Sequence, residues 1–446
     1  MHGNSFINIH LYVYIINLEM TEAGRSNAFK TWLVSKLKPA LPVPKMVSGI
    51  GQLKNMGSIA KDSGCRNVLI VSDEVLEKIG LVGAVEQSLD AAGVRYTVFA
   101  KVLPNCPERL VEDGYELYRK NGCDGIIAVG GGSSMDCAKV IGAKVCNPKP
   151  IIKYKGNYKV AGFSKALAAK YPTLIAVPTT SGTGSETTVA AVVFMEDRAI
   201  KLVLTDAVMI PKIAVLDPEV TVSLPPHITA ATGMDALTHA TESFLSTWAN
   251  KDTRLKSLRA VERIGKHLLT CYHEPKNLFA REQMLIASFE AGLAFTNAAV
   301  GYVHAIAHTL GAYFHVPHGV ANAMLMPYVL DFYVADCVDQ FVELAIAIGA
   351  VSRYEVLIDD GEKLKAAKSY IKLVRDMNAK MKIPEYVNKM KPEDVRRVVE
   401  RAMVESHGEG SVLNIGDMGY PVPKYMSYED VEKVVISVLP PKHARL

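Results

Sequence analysis

From about Lys45 to Asp217 the chain alternates short apolar runs with longer stretches of helical spacing. Val68–Val71, Tyr96–Phe99, Ile126–Val129, Leu174–Val177 and Ile213–Leu216 read as buried strands, because each is a short, mostly continuous run of β-branched, aromatic and aliphatic residues. Between them Glu74–Ala92, Glu108–Asn121 and Ser133–Val145 place apolar residues at helical intervals. Strands that are apolar on both faces and separated by helices predict a parallel sheet covered on both sides. Downstream of Asp217-Pro218 the strand signals stop. Ile228–Leu245, Thr253–Tyr272, Arg281–Thr296, Tyr302–Phe314, Gln340–Ile348 and Glu362–Met381 are periodic instead, so the second half is expected to be almost entirely helical. The Pro- and Ser-containing stretch Asp217–Pro226 is the natural boundary. The expected organisation is a lead-in over 1–44, an α/β domain over 45–217 and an all-α domain over 218–446, with no internal repeat or low-complexity tract.

At 446 residues the chain favours two or three domains. Its 50 basic and 46 acidic residues leave a formal charge of +4, spread without long runs, which argues against a nucleic-acid stripe or a membrane-binding patch and for small soluble partners. Seven cysteines, at 65, 106, 123, 137, 146, 271 and 337, form no C-x-x-C pair and are odd in number. They predict core residues in a reducing cytoplasm rather than a disulfide framework. Near the N-terminus Phe6–Leu18 is apolar, but it is too short for a span and lacks the basic flank and cleavage site of a signal peptide. The polar sequence after Met20 suggests that residues 1–19 belong to an upstream start or form a disordered or partner-bound tail.

Two glycine-rich segments lie at ends of the expected strands. Gly130-Gly131-Gly132-Ser133-Ser134-Met135-Asp136 follows an apolar strand and opens a helix, a context in which small residues let backbone N–H groups approach a phosphate. Such a turn also serves purely conformational needs, and this one is not the G-x-G-x-x-G fingerprint. Pro178–Glu186 (PTTSGTGSE) leaves another strand end with hydroxyls and glycines packed together. Two such loops on one parallel sheet are expected around a ligand crevice. Gly131, Gly132, Ser133 and Asp136 are the candidates on the first loop. Asp73 ends the Val68–Val71 strand, where a carboxylate can accept both ribose hydroxyls of NAD and repel the extra phosphate of NADP; it also suits the N-cap of the following helix.

Asp235 and His239 are four residues apart within a helical pattern, so both project from one face. His304 and His308 repeat that spacing, and His315 and His318 flank Pro317, where a helix must end. Seven of the twelve histidines lie between Asp235 and His318, and five of them, His239, His304, His308, His315 and His318, stand in these largely apolar segments. A lone histidine there would be a hydrogen-bonded core residue, but one carboxylate with several imidazoles is the donor set of a divalent ion that keeps net positive charge and open positions. Nitrogen and oxygen donors fit ferrous iron, zinc, cobalt or nickel and argue against magnesium or calcium. Periodicity does not choose among His304, His308, His315 and His318, the first three of which would share one helix face.

The segments GGGSSMDCAK, PTTSGTGSE, ATGMDALTHATESF and GYVHAIAHTLGAYFHVPHGVANAMLMPYVL resemble, in order and spacing, the iron-containing (group III) alcohol dehydrogenases, over about Met46 to Val438. The resemblance implies a dehydroquinate synthase-like fold, with a nucleotide-binding α/β domain and a helical metal-binding catalytic domain. It implies hydride transfer between NAD(H) and a small alcohol or aldehyde, a divalent metal, iron before zinc, and a homodimer or higher homo-oligomer. Carried over by residue, it assigns the metal to Asp235, His239, His304 and His318 and places His308 near substrate and nicotinamide. It further assigns cofactor contacts to Asp73, Asn105, Gly132, Ser133, Thr179, Thr180, Thr183 and Lys201. The chain departs from the family at Thr309, at His315 and in Asn414–Asp417 and Tyr420–Pro423, which bears on substrate identity more than on reaction type. A transhydrogenase with a tightly held nucleotide, a cyclase of the dehydroquinate synthase kind and a binding or filament-forming protein without turnover are the competing readings.

Overall fold

The computed structural model describes residues 41–198, 200–352, 360–407 and 419–441. The segment Phe6–Leu18, the start at Met20 and Asn414–Asp417 lie outside them. The described chain forms two compact units, one of Pro42–Thr229 with His273–Thr296 and the other of Ala230–Tyr272 with the residues from Asn297 onward. The first therefore takes back a segment from beyond the expected boundary at 217/218.

The first unit is built on a six-stranded sheet. Its strands are β1 (Lys45–Ser48), β2 (Asn67–Val71), β3 (Arg95–Phe99), β4 (Gly125–Gly130), β6 (Thr173–Pro178) and β9 (Ile213–Leu216), in the order β1-β9-β6-β4-β2-β3. Every pairing is parallel. Because successive side chains alternate between faces, the sheet carries two cores. Leu69, Val71, Ile126, Ala128, Leu174 and Ala176 pack with Met135, Ala138 and Ile141 of the helix Gly132–Cys146. Val68, Ile70, Ile127, Val129, Ile175 and Val177 pack with Val82, Val85 and Leu89 of the helix Leu81–Ala92. This explains why the strands read as unbroken apolar runs, with helices on both faces of a parallel sheet. The expected helix over 74–92 is two, Glu74–Lys78 and Leu81–Ala92, parted at Gly80, whose φ of 86° is left-handed.

A second sheet, of β5 (Gly156–Asn157), β8 (Ile200–Thr205) and β7 (Ala190–Met195), pairs in the order β5-β8-β7 and was not anticipated. Its sequence signal is weak because β8 opens on the exposed, polar-interrupted Ile200-Lys201 and β5 is only two residues long. Edge strand β1 escaped notice for a similar reason, its four residues KMVS being half polar.

The second unit is helical throughout its described residues. It comprises most of Pro226–Leu245, then Lys251–His273, Tyr302–Phe314, His318–Tyr333, Val338–Ile348, Asp360–Lys380, Val395–His407 and Tyr428–Ser437. Tyr302–Phe314 is apolar nearly all round, nine of its thirteen residues being buried, which makes it an interior helix. His318–Tyr333 went unread because its apolar residues form no stripe and Pro327 interrupts it.

Within the first unit the helix Leu278–Ala298 seats the 178–186 loop. Gly184 has a left-handed φ of 59°, and a β-carbon there would lie 2.7 Å from the α-carbon of Gly292; a β-carbon on Gly292 would meet Thr187 Oγ1 at 2.2 Å and the Gly184 carbonyl at 2.9 Å. Gly292→Ala should therefore destabilise the protein by about 1–3 kcal/mol through forced displacement. An unchanged thermal unfolding midpoint would show that the loop and helix do not hold this approach.

Candidate metal centre and nucleotide-binding edge

In the second unit Asp235 and His239 lie one turn apart on the helix Pro226–Leu245, His304 comes from Tyr302–Phe314, and His318 is the first residue of His318–Tyr333. One donor atom from each of the four lies within 4.8 Å of the others. Asp235 Oδ1 is 3.4 Å from His318 Nε2 and 3.8 Å from His304 Nε2, and Asp235 Oδ2 is 4.0 Å from His239 Nδ1. Donors placed tetrahedrally at ~2.1 Å around one ion stand ~3.4 Å apart, so the residues fit a single metal with modest contraction. Asp235 is 2 %, His304 2 % and His239 5 % exposed, a burial that excludes the loose acidic clusters of protein surfaces.

Electrostatics prepare the donors. Burial alone would raise the Asp235 carboxyl, but His239, His318 and His304 together with the Asn322 amide hold it below its ordinary value, ionised. Burial pushes His304 well below the usual imidazole range, so it is a neutral donor. Its Nδ1 lies 2.5 Å from Glu242 Oε2. With Nδ1–H donating to that carboxylate, the Nε2 lone pair is turned toward Asp235, the carboxylate–histidine arrangement that orients metal ligands. Glu242 is itself fixed by the backbone N–H groups of Gly301 (2.9 Å) and Val303 (2.8 Å), while burial pushes its carboxyl up to about 7. Asn322 Nδ2 donates to Asp235 Oδ1 at 2.7 Å and lies 3.2 Å from both His304 Nε2 and His318 Nε2.

The ambiguity among the four later histidines is resolved by geometry. His315 caps the end of Tyr302–Phe314 in left-handed conformation, φ 57°, and is exposed; it is not in the cluster. His308 is also outside the four but stacks on His318, with ring centroids 5.1 Å apart, and stands edge-on to His304 at 5.9 Å. Its side chain is 30 % exposed. Its Nδ1 is hydrogen-bonded to Glu405, which also accepts from Tyr420 Oη at 3.0 Å. Glu242, Asn322 and Glu405 carry no assignment from the sequence, and Tyr420 stands there only as part of a segment that departs from the family pattern. Glu242 alone had a signal, standing one helical turn beyond His239 on the face that carries Asp235.

In the first unit the carboxyl ends of β2, β4 and β6 lie side by side, Val71 opposite Ala128 and Gly130 opposite Pro178. The glycine turn and the 178–186 loop are therefore neighbours. A β-carbon on Gly132 would lie 2.9 Å from Thr183 Cγ2, and one on Gly131 3.5 Å from Thr180 Oγ1. The helix Gly132–Cys146 begins without a side-chain cap, leaving its first backbone N–H groups, including that of Ser133, for an anion. Thr180 and Thr183 are partly exposed beside it, whereas Thr179 is 3 % exposed and donates its N–H to the Gly130 carbonyl. Asp73 Oδ1 caps Glu74–Lys78 by accepting from Val75 and Leu76 at 2.9 and 3.0 Å, so the capping reading holds and the second oxygen is not needed for it.

Asp136 faces inward. Its two oxygens accept from Ser185 Oγ and the Val192 N–H, each at 2.9 Å, so it ties the turn to the neighbouring loop. Lys139 does the same more strongly. Fully buried, with its ammonium pushed down to about 8 by desolvation, it donates to Ser185, to Thr188 and to the Ala190 carbonyl at 2.9–3.0 Å. Asn105 and Lys201 are both exposed and flank Phe194. Phe194 pairs with Lys201 in β7–β8 and, on its other side, bonds the segment that follows Asn105.

Comparison with known proteins agrees with this arrangement. The iron-containing alcohol dehydrogenase profile matches residues 43–218, and the C-terminal profile of the Fe-containing alcohol dehydrogenase family matches 229–415. A choline dehydrogenase of Bacillus subtilis (strain 168) is 33 % identical over 382 residues, 85 % of this chain and 92 % of that protein. A 1,3-propanediol dehydrogenase of Citrobacter freundii is 34 % identical over 363 residues, 80 % of this chain and 90 % of that one. The structure of an alcohol dehydrogenase from Oenococcus oeni superposes with a TM-score of 0.80 at 33 % identity, covering 90 % of this chain and 99 % of its own. With both profiles spanning most of the chain and the buried donor cluster in place, the chain belongs to the iron-containing alcohol dehydrogenase family, oxidoreductases that act on CH–OH groups.

Proposed function

We propose that this protein is a metal-dependent, NAD(H)-linked dehydrogenase of a small alcohol, or reductase of the matching aldehyde, working in the cytoplasm as a homo-oligomer. The observation that carries the reading is the convergence of one carboxylate and three imidazoles, with Asp235, His239 and His304 buried and His318 partly exposed, and with Glu242 fixing the tautomer of His304. Those four residues would hold the ion, iron before zinc by membership of the family, since nitrogen and oxygen donors accept either. When bound, the metal supplies Lewis acidity toward an alcohol or carbonyl oxygen, and the nicotinamide supplies the two-electron chemistry.

The remaining work belongs to side chains and backbone. The N–H groups from Gly131 to Ser133, with Thr179, Thr180 and Thr183, cradle the diphosphate, while Asp136 and Lys139 set the spacing of the two loops from behind. Asp73 takes the adenosine ribose through the oxygen not used in capping, and Asn105 and Lys201 complete the cofactor contacts from their flanking strand and loop. His308, partly open to solvent and aligned against His318, passes the hydroxyl proton to water in oxidation and returns it in reduction. A small alcohol or aldehyde is the partner; neither nucleic acid nor membrane enters the reading. No single helix among the described residues is long and apolar enough to cross a membrane.

Following the near-ultraviolet absorbance of NADH with a panel of alcohols and aldehydes tests the activity directly. A protein that oxidises alcohol without exchanging its nucleotide with free NAD would be a transhydrogenase instead, and a protein inert to the whole panel would refute the reading. For the metal, His318→Ala should lose metal and activity together, because the remnant lacks one bond and the geometry, whereas His315→Ala should keep both. Elemental analysis showing the reverse pattern would overturn the ligand assignment. For the cofactor, Asp73→Ser keeps an N-cap while removing the charge. It should shift the kcat/KM ratio of NADPH over NADH by roughly tenfold, equivalent to about 1.4 kcal/mol; an unchanged ratio would leave Asp73 a helix cap only.

A further inference from the structure

Glu405 is 3 % exposed, and no lysine or arginine pairs with it among the described residues. A buried carboxylate needs hydrogen-bonded partners, and its Oε1 has two, His308 Nδ1 and the hydroxyl of Tyr420. The three residues come from separate places, His308 from Tyr302–Phe314, Glu405 from Val395–His407 and Tyr420 from the following segment, whose own N–H bonds the Ser406 carbonyl at 2.8 Å. Tyr420 is fully buried, while the His308 side chain is nearly a third exposed. The chain of bonds thus runs from a sealed interior outward to a solvent-reaching imidazole.

Donation from Nδ1–H to Glu405 fixes the neutral ring of His308 in one tautomer, with its lone pair on Nε2, and stops rotation about the ring axis. Stacking on His318, at 14° between planes, holds the other degree of freedom. A carboxylate serving only the fold would not need a partly exposed histidine, because Tyr420 and a backbone donor would satisfy it more firmly. We propose that Glu405, braced by Tyr420, is a positioning residue that sets the tautomer and direction of His308 and so controls turnover. The inference rests on the reading of His308 as the group that carries the proton. It assigns a role to Tyr420, in the Tyr420–Pro423 segment where the sequence departs from the family pattern.

The test is a set of variants in the metal-loaded enzyme. Glu405→Gln allows the amide to donate to Nδ1 and select the wrong tautomer; it should lower kcat by ~10-fold to 10²-fold, the range for outer groups that orient a working imidazole, with metal content and the KM for NADH unchanged. Glu405→Asp should recover part of the loss, and Tyr420→Phe should give a smaller loss of the same kind. In a His308→Ala background Glu405→Gln should cost nothing further, because the effect passes through His308. Losses that add in the double variant, or a Glu405→Gln enzyme that turns over normally, would overturn the proposal. A His308→Ala enzyme with full turnover would instead refute the reading of His308, and that result is separate from any obtained at Glu405.

Discussion

The second unit is arranged around an awkward charge. Asp235 is an ionised carboxylate with almost no access to water and no lysine or arginine against it among the described residues. Isolated, such a group would shift to its neutral form. His239, His318 and His304 with the Asn322 amide hold it below its ordinary value instead, while burial pushes His304 and His318 well below the usual imidazole range. Acceptor atoms converging in a dry pocket repel one another unless a cation stands among them. The helices that deliver them are largely buried, and their packing brings the donors together. The site is thus a local minimum of self-consistency, set by core packing, that a metal ion would complete.

The same device recurs at two levels outward. Glu242 aligns His304, and Glu405 aligns His308. Both carboxylates are buried and both accept through one imidazole nitrogen, leaving the other to act. Each is also held from behind, Glu242 by two backbone N–H groups and Glu405 by Tyr420. Fixing the second partner of a histidine costs the protein a buried charge, and the return is a ring whose protonation site is known in advance.

Most of this was legible in the sequence where a residue's chemistry coincided with a periodicity. The five sheet strands read from their apolar runs are all present, since a strand buried on both faces has nowhere to put a polar residue. Asp235 and His239 declared themselves by helical spacing, as did His304 and His308. The spacing could not separate His315 from His318, because the distinction lies in a left-handed residue at a helix end, which turns one histidine outward and starts a new helix at the other. Glu405, and the link of Tyr420 to His308, were invisible for a different reason. Both residues are about a hundred residues from His308 and join it only through the packing of two helices, a relation that no local pattern records. Nothing local in the sequence marks Lys139, and only its four bonds show that it fastens the helix after the glycine turn to Ser185, Thr188 and Ala190.

The contact of Gly184 with Gly292 has a consequence for how the protein is made. The loop that borders the glycine turn is backed by a helix that follows it by about a hundred residues, and the unit containing both is completed only by His273–Thr296. A nascent chain normally folds its domains in order of synthesis. Here the ribosome must release all of residues 230–272, which belong to the other unit, before the first can close. Early translation therefore yields a sheet with one loop unsupported, and a chain cut short after the apparent domain boundary would be a fragment rather than a domain.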